Sequence, residues 1–133
     1  MLDVTVCKSM MEYVADGVIS REDMLTEADR MGDADHGSGM ALGFSKVKET
    51  LAERSFSDIS GLFKACGTSI MMNSGGASGV IFGTVFRDGG NALKGCSYLD
   101  GESFSTFLDA AVKGVMERGK ASPGDKTMVD ALY

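Results

Sequence analysis

Three carboxylates lie within seven residues of one another in a stretch that also contains glycine. They are Asp29, Asp33 and Asp35, and the only histidine, His36, follows directly. Carboxylates this close repel one another unless a cation joins them, and hard oxygen ligands without a neighbouring cysteine suit Mg²⁺. Mg²⁺ usually takes its remaining ligands from water and phosphate. The pattern therefore predicts a magnesium site with a phosphate ligand, and an ordinary Asp-Gly turn is the structural alternative.

Two other segments are candidates for binding the phosphate. Residues 74–79 read Ser-Gly-Gly-Ala-Ser-Gly before an apolar helical stretch, so backbone N–H groups at a helix N-terminus would face an anion. In the second segment, 119–128, Lys126 and Thr127 stand at a helix start within reach of a phosphate or a base. Tight glycine packing and a solvated turn are the respective alternatives. The chain has neither a Walker A motif nor a dinucleotide-binding fingerprint.

The elements that position these segments are predicted to be helices. Apolar residues recur at helical spacing over about 3–19, 20–29, 38–54, 59–73, 77–93 and 102–118, and a further helix begins near 127. Ser20 is the expected N-cap of the second helix, and Asp58 or Ser57 that of the fourth. Residues 80–85 would also suit a strand, but no partner strand is evident. The sequence thus predicts one all-α domain over residues 1–133.

Composition excludes several classes of protein. A net charge of -6 argues against a nucleic-acid partner, and no apolar run is long enough to span a membrane. The start of the chain lacks the basic residues of a signal peptide. Cys7, Cys66 and Cys96 lack metal-ligand or disulfide spacing, which predicts buried thiols and a cytoplasmic location. We expect most of the ten methionines to fill the core, with an adaptable contact surface as the alternative.

Taken in order, these motifs resemble the nucleotide-binding L subunit of dihydroxyacetone kinase. The resemblance runs from about residue 5 to the end and rests on Leu25–Asp29, Gly32–Gly37, Gly75–Gly79, Gly119–Ala121 and Gly124–Met128. It implies an antiparallel barrel or bundle of about eight α-helices when complete, of which this chain holds six to seven. It also implies ADP or ATP with two Mg²⁺ ions at one end of the barrel.

The resemblance further implies which residues serve each role. The metal ligands would be Asp29, Asp33 and Asp35. The nucleotide would be lined by His36, Gly37, Ser38, Gly39, Gly75, Gly76, Ala77, Ser78, Gly119, Thr127 and Met128. A separate K subunit would hold the substrate through a histidine of its own, so no catalytic residue is assigned in this chain.

The function implied is phosphoryl transfer to dihydroxyacetone or another small ketose. We favour the version in which ADP stays bound and is rephosphorylated by a phosphocarrier of the phosphotransferase system. The alternatives are an ATP-dependent kinase for another small ketose and a non-catalytic, regulatory nucleotide-binding module. A related kinase domain acting on fatty acids carries Asp-Gly-Asp-Thr-Gly in this loop, and His36 argues against it.

The end of the chain carries a separate expectation. Residues 128–133 start an apolar helix that stops after about two turns, and helices this short need packing to be stable. We therefore expect the domain to be incomplete at its C-terminus. The apolar face left open would be masked by self-association or by a partner, and nucleotide would bind weakly or not at all.

Overall fold

Seven α-helices and one isolated antiparallel bridge, between Leu2 and Leu99, make up the protein, which a computed structural model describes over residues 1–133. The helices are α1 (Val4–Ile19), α2 (Glu22–Ala28), α3 (His36–Glu53), α4 (Ile59–Asn73), α5 (Gly76–Ala92), α6 (Gly101–Gly119) and α7 (Val129–Leu132). The predicted all-α class is confirmed, and the first six helices end within about two residues of their predicted bounds. Residues 80–85 belong to α5 and form no strand.

Aspartate side chains cap the N-termini of three of the long helices. Asp3, Asp58 and Asp100 each accept a hydrogen bond from the backbone N–H three residues later, at 2.9, 2.6 and 3.0 Å. The predicted capping role of Asp58 is therefore confirmed. The prediction for Ser20 was wrong, because this residue ends α1 and its hydroxyl donates to the Gly17 carbonyl at 3.1 Å. No side chain caps α2.

Helices α1, α3, α4, α5 and α6 pack side by side in that order, and α2 lies on α3. Short connections make neighbouring helices antiparallel. Their shared core includes Met11 of α1, Phe44 of α3, Leu62 and Ile70 of α4 and Phe107 of α6. None of the helices is both long and apolar enough to cross a membrane. The row of helices brings the start of α3 and the start of α5 to the same end of the molecule.

Helices α4 and α5 approach closely enough for their backbones to touch. A Cβ atom added to Gly67 would overlap the backbone nitrogen of Arg87 and lie 2.6 Å from the Gly83 carbonyl oxygen. A Cβ atom on Gly83 would lie 2.8 Å from the Gly67 carbonyl oxygen. Only glycine fits at these two positions, and the close crossing fixes where α5 begins relative to α4.

Sulfur-containing residues divide between the core and the surface. Only Met11 and Met40 of the ten methionines are buried, so the prediction that most fill the core was wrong. Cys7 and Cys66 are buried as predicted, whereas Cys96 is half-buried. Burial raises the pKa of the Cys66 thiol to about 12, which keeps it uncharged at physiological pH.

The start of α6 makes stability depend on pH in a defined direction. Hydrogen bonds from Ser103 hold the pKa of the Asp100 carboxyl below its usual value of 3.8. Because the folded-state pKa is the lower one, this stabilisation is complete above about pH 4 and is lost as the pH falls through the folded value. We expect Asp100→Asn to be less stable than the wild type at pH 6, with a smaller difference at about pH 2.

Urea unfolding at both pH values checks this expectation. Asp109→Asn is the control, because Asp109 is exposed on the same helix and its side chain makes no hydrogen bond. A stability gap between wild type and Asp100→Asn that persists unchanged at pH 2 would contradict the role of the ionised carboxylate.

Candidate functional site

The three aspartates meet at the loop between α2 and α3. Asp29 follows the last residue of α2, and Asp35 precedes the first residue of α3. One carboxylate oxygen from each of Asp29, Asp33 and Asp35 lies within 4.8 Å of the other two. Ala34 makes this possible by adopting a left-handed backbone with φ of 56°, which turns the chain sharply between its two acidic neighbours. The predicted cluster therefore exists as a group of converging oxygen atoms.

The carboxylates in this cluster perturb one another. A hydrogen bond from the Asp35 side chain lowers the pKa of the Asp33 carboxyl. The same hydrogen bond, and then the negative charge of Asp33, raise the pKa of Asp35. Asp35 thus holds its proton to higher pH than an isolated aspartate does, which is the signature of crowded negative charge. A divalent cation placed among these oxygens would relieve the repulsion, and an all-oxygen donor set fits Mg²⁺.

The left-handed backbone conformation of Ala34 lowers the free energy of unfolding. A side chain with a Cβ atom is disfavoured in this region by about 1–2 kcal/mol, whereas glycine is not. We expect Ala34→Gly to raise the free energy of unfolding by up to about 1 kcal/mol, since part of the relief is offset by the greater freedom of glycine in the unfolded chain.

Urea denaturation without added metal measures this change. Ala52→Gly, at an exposed position inside α3, is the matched control and should lower the free energy of unfolding by about 1 kcal/mol. If both substitutions destabilise the protein equally, Ala34 is not left-handed in solution.

The N-terminus of α5 faces the aspartate loop. Gly75 precedes this helix and no side chain caps it, so the first N–H groups of α5 lack a side-chain acceptor. Gly76 has a left-handed φ of 69°, and a Cβ atom added to it would lie 3.8 Å from Asp35 Oδ2. The two segments are joined directly, because His36 Nδ1 lies 2.9 Å from Ser78 Oγ. A helix N-terminus and a carboxylate cluster thus share one site.

A cavity of about 340 Å³ lies between the two segments. Its lining consists of Ala28, Asp29, Asp33, Asp35, His36, Gly76, Ala77 and Ser78. No lysine or arginine borders it, so an anion bound there must be balanced by the helix N–H groups and by a cation on the carboxylates. This combination suits a metal-bound phosphate group.

A second cavity, of about 370 Å³, adjoins the first and is mainly apolar. It lies between α5, the end of α6 and the start of α7, and its walls include Ile81, Phe82, Val115 and Met128. Both cavities are lined by Ala77 and Ser78, so they meet at the first turn of α5. A ligand spanning the two would place a charged group beside the carboxylates and a flat apolar group against the second wall.

The structure gathers ten of the fourteen predicted site residues around these two cavities. Gly119, Thr127 and Met128 line the apolar cavity, as Ala77 and Ser78 do. The remaining four do not line either cavity: Gly37, Ser38, Gly39 and Gly75.

One of those four residues, Gly37, has a packing role instead. A Cβ atom on Gly37 would overlap the Glu22 carbonyl oxygen and the Thr26 hydroxyl, so this glycine lets α3 pack on α2. Gly39 is not constrained in this way, since a Cβ atom there would make an ordinary contact at 3.5 Å with the backbone of Gly75.

Sequence reasoning missed the apolar wall, which is formed by Ile81, Phe82, Val115, Ala121 and Val129. Apolar character predicts burial, and no sequence signal separates a cavity wall from a core. Ser74, the first residue of the candidate phosphate-binding segment, instead has a hydroxyl that is buried without a hydrogen-bond partner. A Cβ atom on Gly43 would overlap this hydroxyl, so Ser74 fills the gap that this glycine leaves on α3.

Comparison with known proteins gives the class of protein. The DAK2 domain matches residues 30–133, and the chain belongs to this family. It is 42% identical over 112 residues to the ADP-binding subunit DhaL of the PEP-dependent dihydroxyacetone kinase of Escherichia coli, a match that covers 84% of this chain and 53% of that protein. It is 34% identical over 114 residues to the corresponding subunit of PEP-dependent dihydroxyacetone kinase 1 of Listeria innocua, covering 85% of this chain and 57% of that protein.

A solved structure agrees with this assignment. The crystal structure of the dihydroxyacetone kinase of C. freundii superimposes with a TM-score of 0.75 at 25% identity, over 98% of this chain and 24% of that one. The chain spans little more than half the length of the two relatives named above.

Proposed function

We propose that this chain is the ADP-binding part of an L subunit of a dihydroxyacetone kinase, and that it presents a phosphoryl group to a small ketose held by a K subunit. One observation carries the proposal: a carboxylate cavity and an apolar cavity meet at the uncapped N-terminus of α5. A nucleoside diphosphate has the matching parts, a base with flat aromatic faces and charged phosphates. Both relatives described above are ADP-binding subunits of such kinases.

Each part of the site has a task in this function. The apolar wall formed by Ile81, Phe82 and Met128 would hold the base, and Thr127 offers a hydroxyl beside it. The first N–H groups of α5 would orient the phosphates, as a helix N-terminus favours anions. His36 stands at the edge of the carboxylate cavity, within reach of an oxygen of the bound group. Phosphoryl transfer depends mainly on such positioning and on charge compensation.

Asp29, Asp33 and Asp35 would hold two Mg²⁺ ions together with the phosphates. The fit rests on their oxygen-only donor set and on the mutual perturbation of Asp33 and Asp35. When bound, Mg²⁺ supplies charge compensation for the phosphoryl oxygens. The aspartates also orient the start of α3, because the backbone N–H of His36 donates to Asp29 Oδ2 at 3.4 Å.

The source of the phosphoryl group is the finer part of the proposal. We favour a phosphocarrier of a PEP-dependent system, which would rephosphorylate bound ADP, because the two relatives are subunits of PEP-dependent kinases. ATP as a consumed substrate is the competing version. A cytoplasmic location accompanies either version, since both phosphoryl donors belong to that compartment.

Calorimetric titration of the chain with ADP, with and without MgCl₂, tests the proposal. We expect weak binding that requires Mg²⁺, because no cation of the protein lines the cavity. Failure of ADP to bind at millimolar concentration with excess Mg²⁺ would contradict the nucleotide site. Once binding is established, reconstitution with a K subunit and either ATP or the PEP-dependent phosphocarrier separates the two phosphoryl sources. Binding without transfer from either source would leave a regulatory nucleotide-binding module.

A further inference from the structure

A third cavity, of about 340 Å³, lies at the opposite end of the molecule from the carboxylate cavity. It is formed by the start of α4 and the end of α5, and no apolar residue lines it. Helix α5 has 17 residues, so its two ends are about 25 Å apart. The third cavity is therefore separate from the site described above.

Two lysines from different helices border this cavity. Lys64 lies in the second turn of α4, and Lys94 follows the end of α5. A Cβ atom at Gly90 would lie 3.2 Å from Lys64 Cγ, so this glycine lets the stem of Lys64 pack along α5. Neither lysine belongs to an ion pair of the structure, although Asp58 lines the same cavity. Both ammonium groups are thus free to bind an anion.

The one carboxylate of the cavity, that of Asp58, is engaged by its own segment. Its Oδ1 accepts a hydrogen bond from the Gly61 N–H at 2.6 Å, and its Oδ2 accepts one from the Ser57 hydroxyl at 3.3 Å. The lining therefore carries two positive charges and one negative charge, and the N-terminus of α4 adds positive partial charge. This balance favours an anion, whereas the carboxylate cavity requires a cation.

Ser60 gives an independent indication of a ligand. This residue lines the cavity, only 7% of it is exposed, and its hydroxyl makes no hydrogen bond within the protein. Asn91 lines the cavity from the side of α5, and its side-chain amide is also unpaired. Burying a hydroxyl costs free energy unless it finds a hydrogen-bond partner. An oxyanion in the cavity would supply that partner for Ser60.

We propose that the third cavity binds a phosphate group, carried by free inorganic phosphate or by a small phosphomonoester. Lys64 and Lys94 would supply charge from two sides, since lysine binds phosphate as a point charge. Ser60 and Asn91 would donate hydrogen bonds to the phosphate oxygens. The proposal goes beyond the nucleotide site and does not depend on it.

Titration of the nitrogen-15-labelled chain with inorganic phosphate, followed by NMR of the backbone amides, tests this site. The titration is made in EDTA, at an ionic strength held constant with NaCl, and at about pH 8, where lysine keeps its charge. We expect saturable shifts in the millimolar range at the start of α4 and the end of α5. A parallel titration with glycerol phosphate shows whether free phosphate or a phosphomonoester binds more tightly. The Asp33→Asn, Asp35→Asn variant should respond as the wild type does.

Single substitutions in the lining separate a built site from general surface charge. We expect Lys64→Gln and Lys94→Gln each to raise the dissociation constant for phosphate about tenfold, the value of a hydrogen bond to a charged group. Ser60→Ala should raise it about threefold without destabilising the ligand-free protein, because the hydroxyl it removes has no partner there. Lys113→Gln is the control, since this lysine is exposed on α6 outside the cavity, and it should leave the dissociation constant unchanged.

Three results overturn the proposal. The first is the absence of saturable shifts with both inorganic phosphate and glycerol phosphate. The second is an equal weakening by Lys64→Gln and by Lys113→Gln, which would show attraction to surface charge in general. The third is saturable binding whose shifts lie around the carboxylate cavity. None of these measurements involves a nucleotide, so a failure of this inference and a failure of the proposed function are distinguishable.

Discussion

Replacing Asp33 and Asp35 together by asparagine is expected to abolish the stabilisation of the protein by ADP with Mg²⁺. In the wild type, a ligand at about 100 times its dissociation constant adds about 2.7 kcal/mol to the free energy of unfolding. The double variant loses this gain, because amide oxygens are uncharged and no lysine or arginine lines the cavity to balance the phosphates. The measurement is the midpoint of thermal unfolding with ADP and Mg²⁺ added together and separately.

The control removes the same charge elsewhere. Glu53→Gln with Glu117→Gln changes two exposed carboxylates outside both cavities, and it should leave the ligand-induced shift intact. The fold of the Asp33→Asn, Asp35→Asn variant is checked by its unfolding without ligand, which should remain cooperative. An undiminished shift in that variant would show that the metal is held by other groups.

Adding one methyl group at Gly67 is expected to destabilise the core strongly. The new Cβ atom would meet the backbone of Arg87 and the Gly83 carbonyl oxygen, and backbone atoms cannot move aside as a side-chain tip can. Overpacking of this kind costs about 1–3 kcal/mol, and we expect Gly67→Ala to lie at the upper end. Because α4 and α5 would be pushed apart, the start of α5 would shift and ADP binding would weaken as well.

A second helical glycine serves as the control, and its replacement by alanine should change the free energy of unfolding in the opposite direction. Gly17 also lies inside a helix, but a Cβ atom there would have its nearest contact at 3.8 Å, with the Arg21 side chain. Gly17→Ala should raise the free energy of unfolding by up to about 1 kcal/mol, since alanine is the better helix former. Urea denaturation of both variants measures the difference. If Gly67→Ala is as stable as Gly17→Ala, the α4–α5 contact is looser in solution than in the structure.

Local features of the sequence were read correctly where the physics is local. Apolar spacing and the aspartate at position 58 located helices, because a cap and a helical face involve residues a few positions apart. The predicted capping role of Ser20 was wrong for an equally local reason, because its hydroxyl donates to the Gly17 carbonyl in α1 and does not cap α2. The prediction that most methionines fill the core was wrong because composition does not indicate which helical face a residue occupies.

The aspartate cluster could be predicted from the sequence, because three residues in one short loop cannot lie far apart. The segment that faces the cluster could not be predicted, because His36 and Ser78 are 42 positions apart and meet only when α3 and α5 pack against α4. Family resemblance supplied that pairing, and the folded chain supplied its geometry.

What the sequence alone determined is the helical class, the helix bounds and the acidic loop, because each depends on neighbours along the chain. The tertiary structure decided the rest. It placed the uncapped start of α5 against the carboxylates, exposed one side of Ile81 and Phe82 to a cavity, and gave Gly37 a packing role. These outcomes depend on how closely helices approach, and that distance is set by residues on different helices, such as Gly67 and Gly83.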